Sequence, residues 1–289
     1  MQRKYKIIEG EKTIKACSNF RLPFEPNNVA LSYRNDLRIS ISKLRLCTNQ
    51  MLRSKYITNK IDFFDIENVL FYNIGTSSFR AISRNGIIIN FEQRNIPIND
   101  CNHILEYQII DASFLKQPKN NYLVYFTFNL PSLVTSNKAG DFWLAIHQGR
   151  IDIKQKNLIL NDDFGLFIEI ESNKDIYSIA SIMKSLLDGI ISGFHRENDI
   201  DYNVVNYLSD RYSITDKSII AYLRNESYAV LGDRNLVSVF RNAIKWDPVD
   251  ERCKEITIIP KLNKHIKGVN ISGKLYGIDN QINFDKNHF

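Results

Sequence analysis

An α+β protein, β-rich in its N-terminal region and helical in its C-terminal region, is predicted by three features of the sequence. Short runs of alternating apolar character follow one another from residue 29 to 171 with no helical pattern between them, which suits an antiparallel sandwich or barrel-like region. A long apolar segment at 175–195, DIYSIASIMKSLLDGIISGFH, carries the i, i+3, i+4, i+7 spacing of one helix face. Beyond it, short capped helical runs end in a strand pair. The boundary falls at 172/173. This gives a β-rich domain over 1–172 with a basic N-terminal segment, and a helical domain over 173–289 with a terminal β-hairpin.

In chain order, residues 29–46 alternate Leu37, Ile39 and Ile41 against Arg38, Ser40 and Ser42, which predicts a strand. Residues 79–84 and 87–91 flank Asn85-Gly86, whose positive φ preference predicts a type I′ hairpin. Further strands are expected at 104–112, 122–130, 142–153 and 164–171, separated by turn-rich pieces such as QPKNN at 117–121. His147 sits in the third of these, among large apolar residues.

In the long helix, Ser172 and Asp175 offer a capping box, and Gly189 and Gly193 lie one above the other, where a neighbouring backbone can approach. Asp199 is placed to cap a helix over 202–212, Thr215 one over 217–225, and Asp233 one over 236–245 that Pro248 stops. Residues 255–260 and 268–278 read as the closing strand pair, and 279–289 as a frayed tail. No repeat of fixed period is visible.

The chain is 44% hydrophobic and 24% charged, a globular composition. The opening MQRKYKIIEGEK has no apolar core of a secretory signal, and no run of about 18 apolar residues is free of charge. Cys17, Cys47, Cys101 and Cys253 form no CxxC pair and suit a reduced interior. The expectation is a cytoplasmic protein without membrane contact. There is no P-loop, GxGxxG, HExxH or GxSxG, and no cofactor is expected.

Charge is uneven. Residues 1–60 hold 13 Lys/Arg against 4 Asp/Glu, whereas the remaining 229 hold 25 against 28. Clustered cations attract polyanions by releasing condensed counterions. Arg38, Lys43, Arg45, Arg53 and Lys55 are the candidate phosphate contacts. Residues 203–224 resemble a helix-turn-helix in outline, with Lys217 and Arg224 on its outward side and the following strand pair as a wing.

Lys184, Asp188 and His195 fall within roughly 40° of one another on the flank of the long helix, Lys184 and Asp188 at i, i+4. They are the candidate acid–base group. Asp247, Asp250 and Glu251, in WDPVDERC, are candidate ligands of a hard cation. A nuclease-like core is approached by Asp162, Asp163 and Glu169-Ile170-Glu171, but a carboxylate stands where the lysine belongs. Three functions follow. The first is a non-catalytic subunit binding nucleic acid, or an acidic protein partner, through its basic N-terminal surface, in an oligomer or hetero-complex. The others are a hydrolase of a phosphate-containing substrate using Asp188 and His195, and a purely structural assembly subunit.

Overall fold

The protein is described by a computed structural model over residues 4–60, 64–94, 96, 101–115, 122–154, 162–241 and 243–278. The predicted turn at 117–121 and tail at 279–289 lie outside the described residues. The first half of the chain forms β1 (Tyr5–Glu9), β2 (Thr13–Ser18), α1 (Asn28–Lys43), β3 (Gln50–Thr58), a π-helical turn (Asn68–Tyr72), a 3-10 turn (Thr76–Phe79), β4 (Ile87–Gln93) and β5 (His103–Asp111). Next come β6 (Val124–Leu130), α2 (Ala139–Gln148), β7 (Arg150–Ile153), β8 (Phe164–Ser172) and α3 (Ile179–Ser192). A peripheral unit follows, of β9 (Arg196–Glu197), α4 (Tyr202–Tyr212), α5 (Asp216–Leu223), β10 (Asp233–Arg234), β11 (Val237–Phe240) and β12 (Ala243–Trp246). A 3-10 turn (Asp250–Arg252), β13 (Cys253–Leu262) and β14 (Val269–Gly277) complete the described chain.

Ten strands form one mixed sheet in the order β1-β2-β5-β3-β4-β13-β8-β14-β6-β7. This overturns the expected β-rich region followed by a helical one: helices are interspersed among the strands, and C-terminal strands stand inside the same sheet as N-terminal ones. The closing strands β13 and β14 exist as expected but do not pair. Each pairs with β8, which lies between them.

Two periodicity errors produced the wrong class. Leu37 and Ile41 are four residues apart, a spacing that shares a face in a helix and in a strand alike. Ala30 and Tyr33 extend them into a helical stripe, all four are buried, and the Asn27 side chain caps the start by accepting from the Ala30 N–H at 3.2 Å. Ile39, read as a core partner of Leu37, is 58% exposed. Residues 142–148 are likewise helix α2, not strand, with the Asp141 carboxylate reaching back to the Lys138 N–H at 2.8 Å. The Asn85-Gly86 turn is present, with Gly86 at φ +122°, but what precedes β4 is the 3-10 turn rather than a strand. The Asn85 amide donates to the carbonyls of Cys47, Thr48 and Gln50, tying this turn to the start of β3. Where a helix over 236–245 was expected, β11 and β12 pair antiparallel instead, as the alternating β-branched Val237 and Val239 favour.

The sheet holds a duplication that the sequence does not display. Strands β2, β3, β4 and β5 stand in the order β2-β5-β3-β4, and β6, β8, β13 and β14 in the order β6-β14-β8-β13. In both sets the third strand in space is antiparallel to the second and parallel to the fourth. The sets meet where β4 and β13 pair antiparallel, Ile89 opposite Ile256, as a two-fold axis through that contact requires.

The helices cover one face of the sheet. α1, the 3-10 turn at 76–79, α3 and α2 touch in that sequence across it. α3 buries Ile179, Ile182, Met183, Leu186, Leu187, Ile190 and Ile191, each worth about 1.5–3 kcal/mol in apolar surface removed from water. Its expected close neighbour is α2: a Cβ at Gly189 would collide with the Ala139 carbonyl, and one at Gly193 would meet Ile146 at 2.9 Å. The helix begins at Ser178 and not at the Ser172–Asp175 box. α4 and α5 form at the expected places, but Asp201 and not the expected Asp199 caps α4, while Thr215 caps α5 as expected. With the β11–β12 hairpin they enclose a second core around Trp143 of α2. Residues 201–246 hold six Lys/Arg against five Asp/Glu, without the basic excess that phosphate binding draws on.

His147 belongs to this second core. Its ring lies 5.0 Å from that of Tyr222 and 5.6 Å from that of Tyr228, nearly parallel to both, and burial pushes its pKa down to about 3. Below the ordinary value of 6.5 the unfolded chain takes up a proton that the folded one refuses. Stability present above pH 6.5 is therefore lost as the pH falls. Urea midpoints at pH 7 and 4.5 should show His147→Phe to be less acid-sensitive than wild type by about 2–3 kcal/mol. An equal acid shift in both proteins would contradict this.

Cys17 and Cys101 are joined in a disulfide, where four free thiols were expected; Cys47 is exposed and Cys253 buried. No helix among the described residues is long and apolar enough to cross a membrane.

Candidate functional site

Lys184 sits on the flank of α3, as its helical spacing predicts, and one turn on is Asp188, 2.9 Å from its Nζ. Tertiary structure adds three more carboxylates. Asp65 and Glu67, on the segment leading into the π-helical turn, lie 3.3 and 2.9 Å from Nζ, and Asp250 lies 2.6 Å away. The sites expected at 184/188 and at 247–251 are thus partly one site. Asp65 and Glu67 were missed, although Phe64-Asp65-Ile66-Glu67 alternates acid with apolar residue, a pattern that puts both acids on one side.

Four carboxylates around one ammonium leave three negative charges in excess if all ionise. Burial resists that. It raises the Glu67 and Asp250 carboxyls well above the ordinary carboxylate range and Asp188 to about 7, against the opposing pull of Lys184. The same carboxylates hold Lys184 firmly protonated despite its burial. Asp65, Glu67 and Asp250 bring one oxygen each to within 4.8 Å of one another, a hard-cation spacing, and the lysine ammonium stands among them. The centre opens into a pocket of about 420 Å³ that Arg234 and Trp246 also line.

Other expected members are elsewhere. Asp247 and Glu251 are ion-paired with Arg234, at 3.7 and 3.2 Å. His195 is held beyond the end of α3 by backbone alone, its Nδ1 3.1 Å from the Gly232 carbonyl and its Nε2 accepting from the Val249 N–H at 3.3 Å. Burial lowers its pKa to about 4. It is a neutral structural ring, not a partner of Asp188. Cys253 is buried, with its thiol pushed far up by desolvation.

The candidate phosphate contacts are distributed over several surfaces. Arg38 donates from Nε to the Ile74 carbonyl at 2.5 Å. Lys43 pairs with Glu9 at 2.7 Å, and Arg45 donates to the Ser42 and Leu44 carbonyls. Arg53 and Lys55 lie on the sheet face away from α1, Arg53 on Gln108 and Lys55 2.9 Å from Glu92. Lys217 is exposed on α5 and Arg224 is exposed at its C-cap.

A second site was not anticipated. Strands β6, β8 and β13 run in one direction, and beyond their carboxyl ends lies a cleft of about 1020 Å³. Such crevices are where open α/β sheets take ligands. Its floor includes Ser178 and Ser181 at the start of α3, with Ser77 from the facing 3-10 turn. Arg80, Lys174 and Lys264 line it, and none makes an ion pair or side-chain hydrogen bond among the described residues. Asp175 is the one acid among the lining residues.

The two sites occupy equivalent places in the duplicated sheet. The chain leaving β3 passes Asp65 into the π-helical turn, and the chain leaving β8 passes 173–178 into α3.

No family model matches the sequence, and no curated protein matches it. Among solved structures the chain is similar to one described as "Cyanuric acid hydrolase: evolutionary innovation by structural concatenation", at 11% identity over 95% of this chain and 68% of that one. The TM-score of 0.18 is too low to bear on fold or function.

Proposed function

We propose that this protein is a non-catalytic binding protein whose partner is anionic and phosphate-bearing, such as a nucleic-acid strand, and that the cleft beyond β6, β8 and β13 receives it. The supporting observation is the set of Arg80, Lys174 and Lys264 around a cleft of about 1020 Å³, without carboxylate partners of their own among the described residues. Cations already paired within the protein must break those pairs before they can neutralise a phosphate; these three need not. Ser77, Ser178 and Ser181 add hydroxyls to the lining, with Ser178 and Ser181 hydrogen-bonded to each other at 2.8 Å. A basic surface spread over Arg38, Lys43, Arg45, Arg53 and Lys55 is less favoured, because those side chains point to different surfaces and several are bound internally.

The test is fluorescence anisotropy with a labelled single-stranded oligonucleotide in 50 and 200 mM salt. Three phosphate contacts predict a slope of log affinity against log salt of about −2. The triple variant R80E/K174E/K264E should bind at least tenfold more weakly, and R53E/K55E should bind like wild type. The reverse ranking of these variants, or retention that ignores salt, would overturn the proposal.

A further inference from the structure

We propose that the cleft takes single-stranded nucleic acid in particular, with the exposed ring of Tyr177 as the platform on which an unpaired base stacks; this rests on the cleft being the anion site and adds what the anion must carry besides phosphate.

The lining of the cleft is not uniformly basic. The chain leaving β8 brings Lys174 and Tyr177 to it, and the end of β13 brings Leu262 and, just beyond, Lys264. β8 and β13 are parallel neighbours with Leu262 opposite Ser172, so the two exits stand side by side. Each offers a cation together with an apolar side chain. Tyr177 is 73% exposed and Leu262 53%, and Val134, from the exit of β6, is 46% exposed. Apolar surface left in water beside cations without internal partners fits a ligand that alternates charge with apolar faces. A strand whose bases are unpaired is built that way, whereas inorganic phosphate has no use for the apolar part.

The tyrosine is held out on a fixed stretch of backbone. Ile176 before it packs against the main core, and Ser178 after it is buried at the start of α3. Further back, the Ser172 hydroxyl accepts from the Lys174 N–H at 3.1 Å. With both neighbours fixed, little backbone freedom remains to be lost on binding. Among the described residues no other ring stacks on that of Tyr177. A partner for its face must present a face in return. Bases in a duplex are stacked on one another and show only their edges in the grooves, so the platform favours single strands. An acidic peptide would satisfy the cations but does not bring a planar ring with each charge.

Anisotropy titrations of the full-length chain test this with three labelled probes: an oligothymidylate of about 12 nucleotides, an abasic strand of the same length, and the oligothymidylate annealed to its complement. Tyr177→Ala should weaken binding of the oligothymidylate about tenfold and leave the abasic strand and the duplex unchanged. Tyr177→Phe, which keeps the ring, should bind as wild type does. The R80E/K174E/K264E variant should weaken all three probes. Loss of that response would defeat the anion reading itself, whereas an intact charge response without a Tyr177 response would defeat base stacking alone. Equal binding of the oligothymidylate by Y177A and wild type, an equal loss on the abasic strand, or displacement of the strand by poly-glutamate as readily as by unlabelled oligothymidylate would overturn the proposal.

Discussion

Lys184→Met is expected to cost about 3–5 kcal/mol of stability at pH 8, the cost of leaving buried charges without their partner, and much less at pH 5. Nζ is the common partner of Asp65, Glu67, Asp188 and Asp250, so its removal leaves four carboxylates facing one another, with Glu67 only 1% exposed. The carboxyls can then lower their energy only by keeping protons, which raises their folded values further. As raised groups, they stabilise the fold in acid and oppose it in alkali. Urea unfolding of wild type and variant at pH 5 and 8 checks this. A loss of the same size at both pH values would mean that Lys184 contributes through its packed methylenes and not its charge. Glu67→Gln should act in the other direction, gaining stability at pH 8, because an amide needs no proton to remain neutral.

Trp143→Ala is expected to cost about 3–5 kcal/mol, and the loss should be localised. Trp143 is fully buried and is the largest α2 side chain in a core otherwise built mainly by α4, α5 and the hairpin: Val204, Val205, Leu208, Ile219 and Leu223, with Trp246 5.2 Å from its ring. That core is separate from the one between the sheet and its helices. Removing the indole should release α4, α5 and β11–β12 while the ten-stranded sheet persists, as sub-global opening of one cooperative unit. Exchange protection should fall over 202–223 and 237–246 and stay high in β3, β5 and β8. A uniform loss over all strands would show that the peripheral unit and the sheet unfold as one.

The two helices of the expected helix-turn-helix outline are present as α4 and α5 because helix starts are written locally, although the strands expected as its wing, β13 and β14, lie inside the ten-stranded sheet. Asp201 and Thr215 donate no information beyond their own turn, and a cap needs none: each side chain accepts from an N–H two or three residues ahead. The long helix was legible for a related reason. Seven large apolar residues at helical spacing over fourteen positions leave no strand alternative of that length.

α1 and α2 were misread where the two periods coincide. A four-residue interval fits a helix face and a strand face equally, so Leu37 and Ile41 decide nothing until Asn27, Ala30 and Tyr33 are counted. The duplication escaped for a different reason. Strand order and direction are relations between segments far apart in the chain, and no local pattern records that β4 and β13 pair at the centre.

By itself the sequence determined which residues stand on the flank of α3, hence the Lys184–Asp188 pair, because helical spacing is set by backbone geometry within one segment. It also determined that cations are concentrated in the first sixty residues. Only the tertiary structure decided what those charges face. It bound Lys43 to Glu9 and Lys55 to Glu92, gathered Asp65, Glu67 and Asp250 around Lys184, and left Arg80, Lys174 and Lys264 around a cleft. The physical reason is that Coulomb attraction and desolvation depend on distance and burial in space, and residues 65, 184 and 250 become neighbours only when the sheet closes between them.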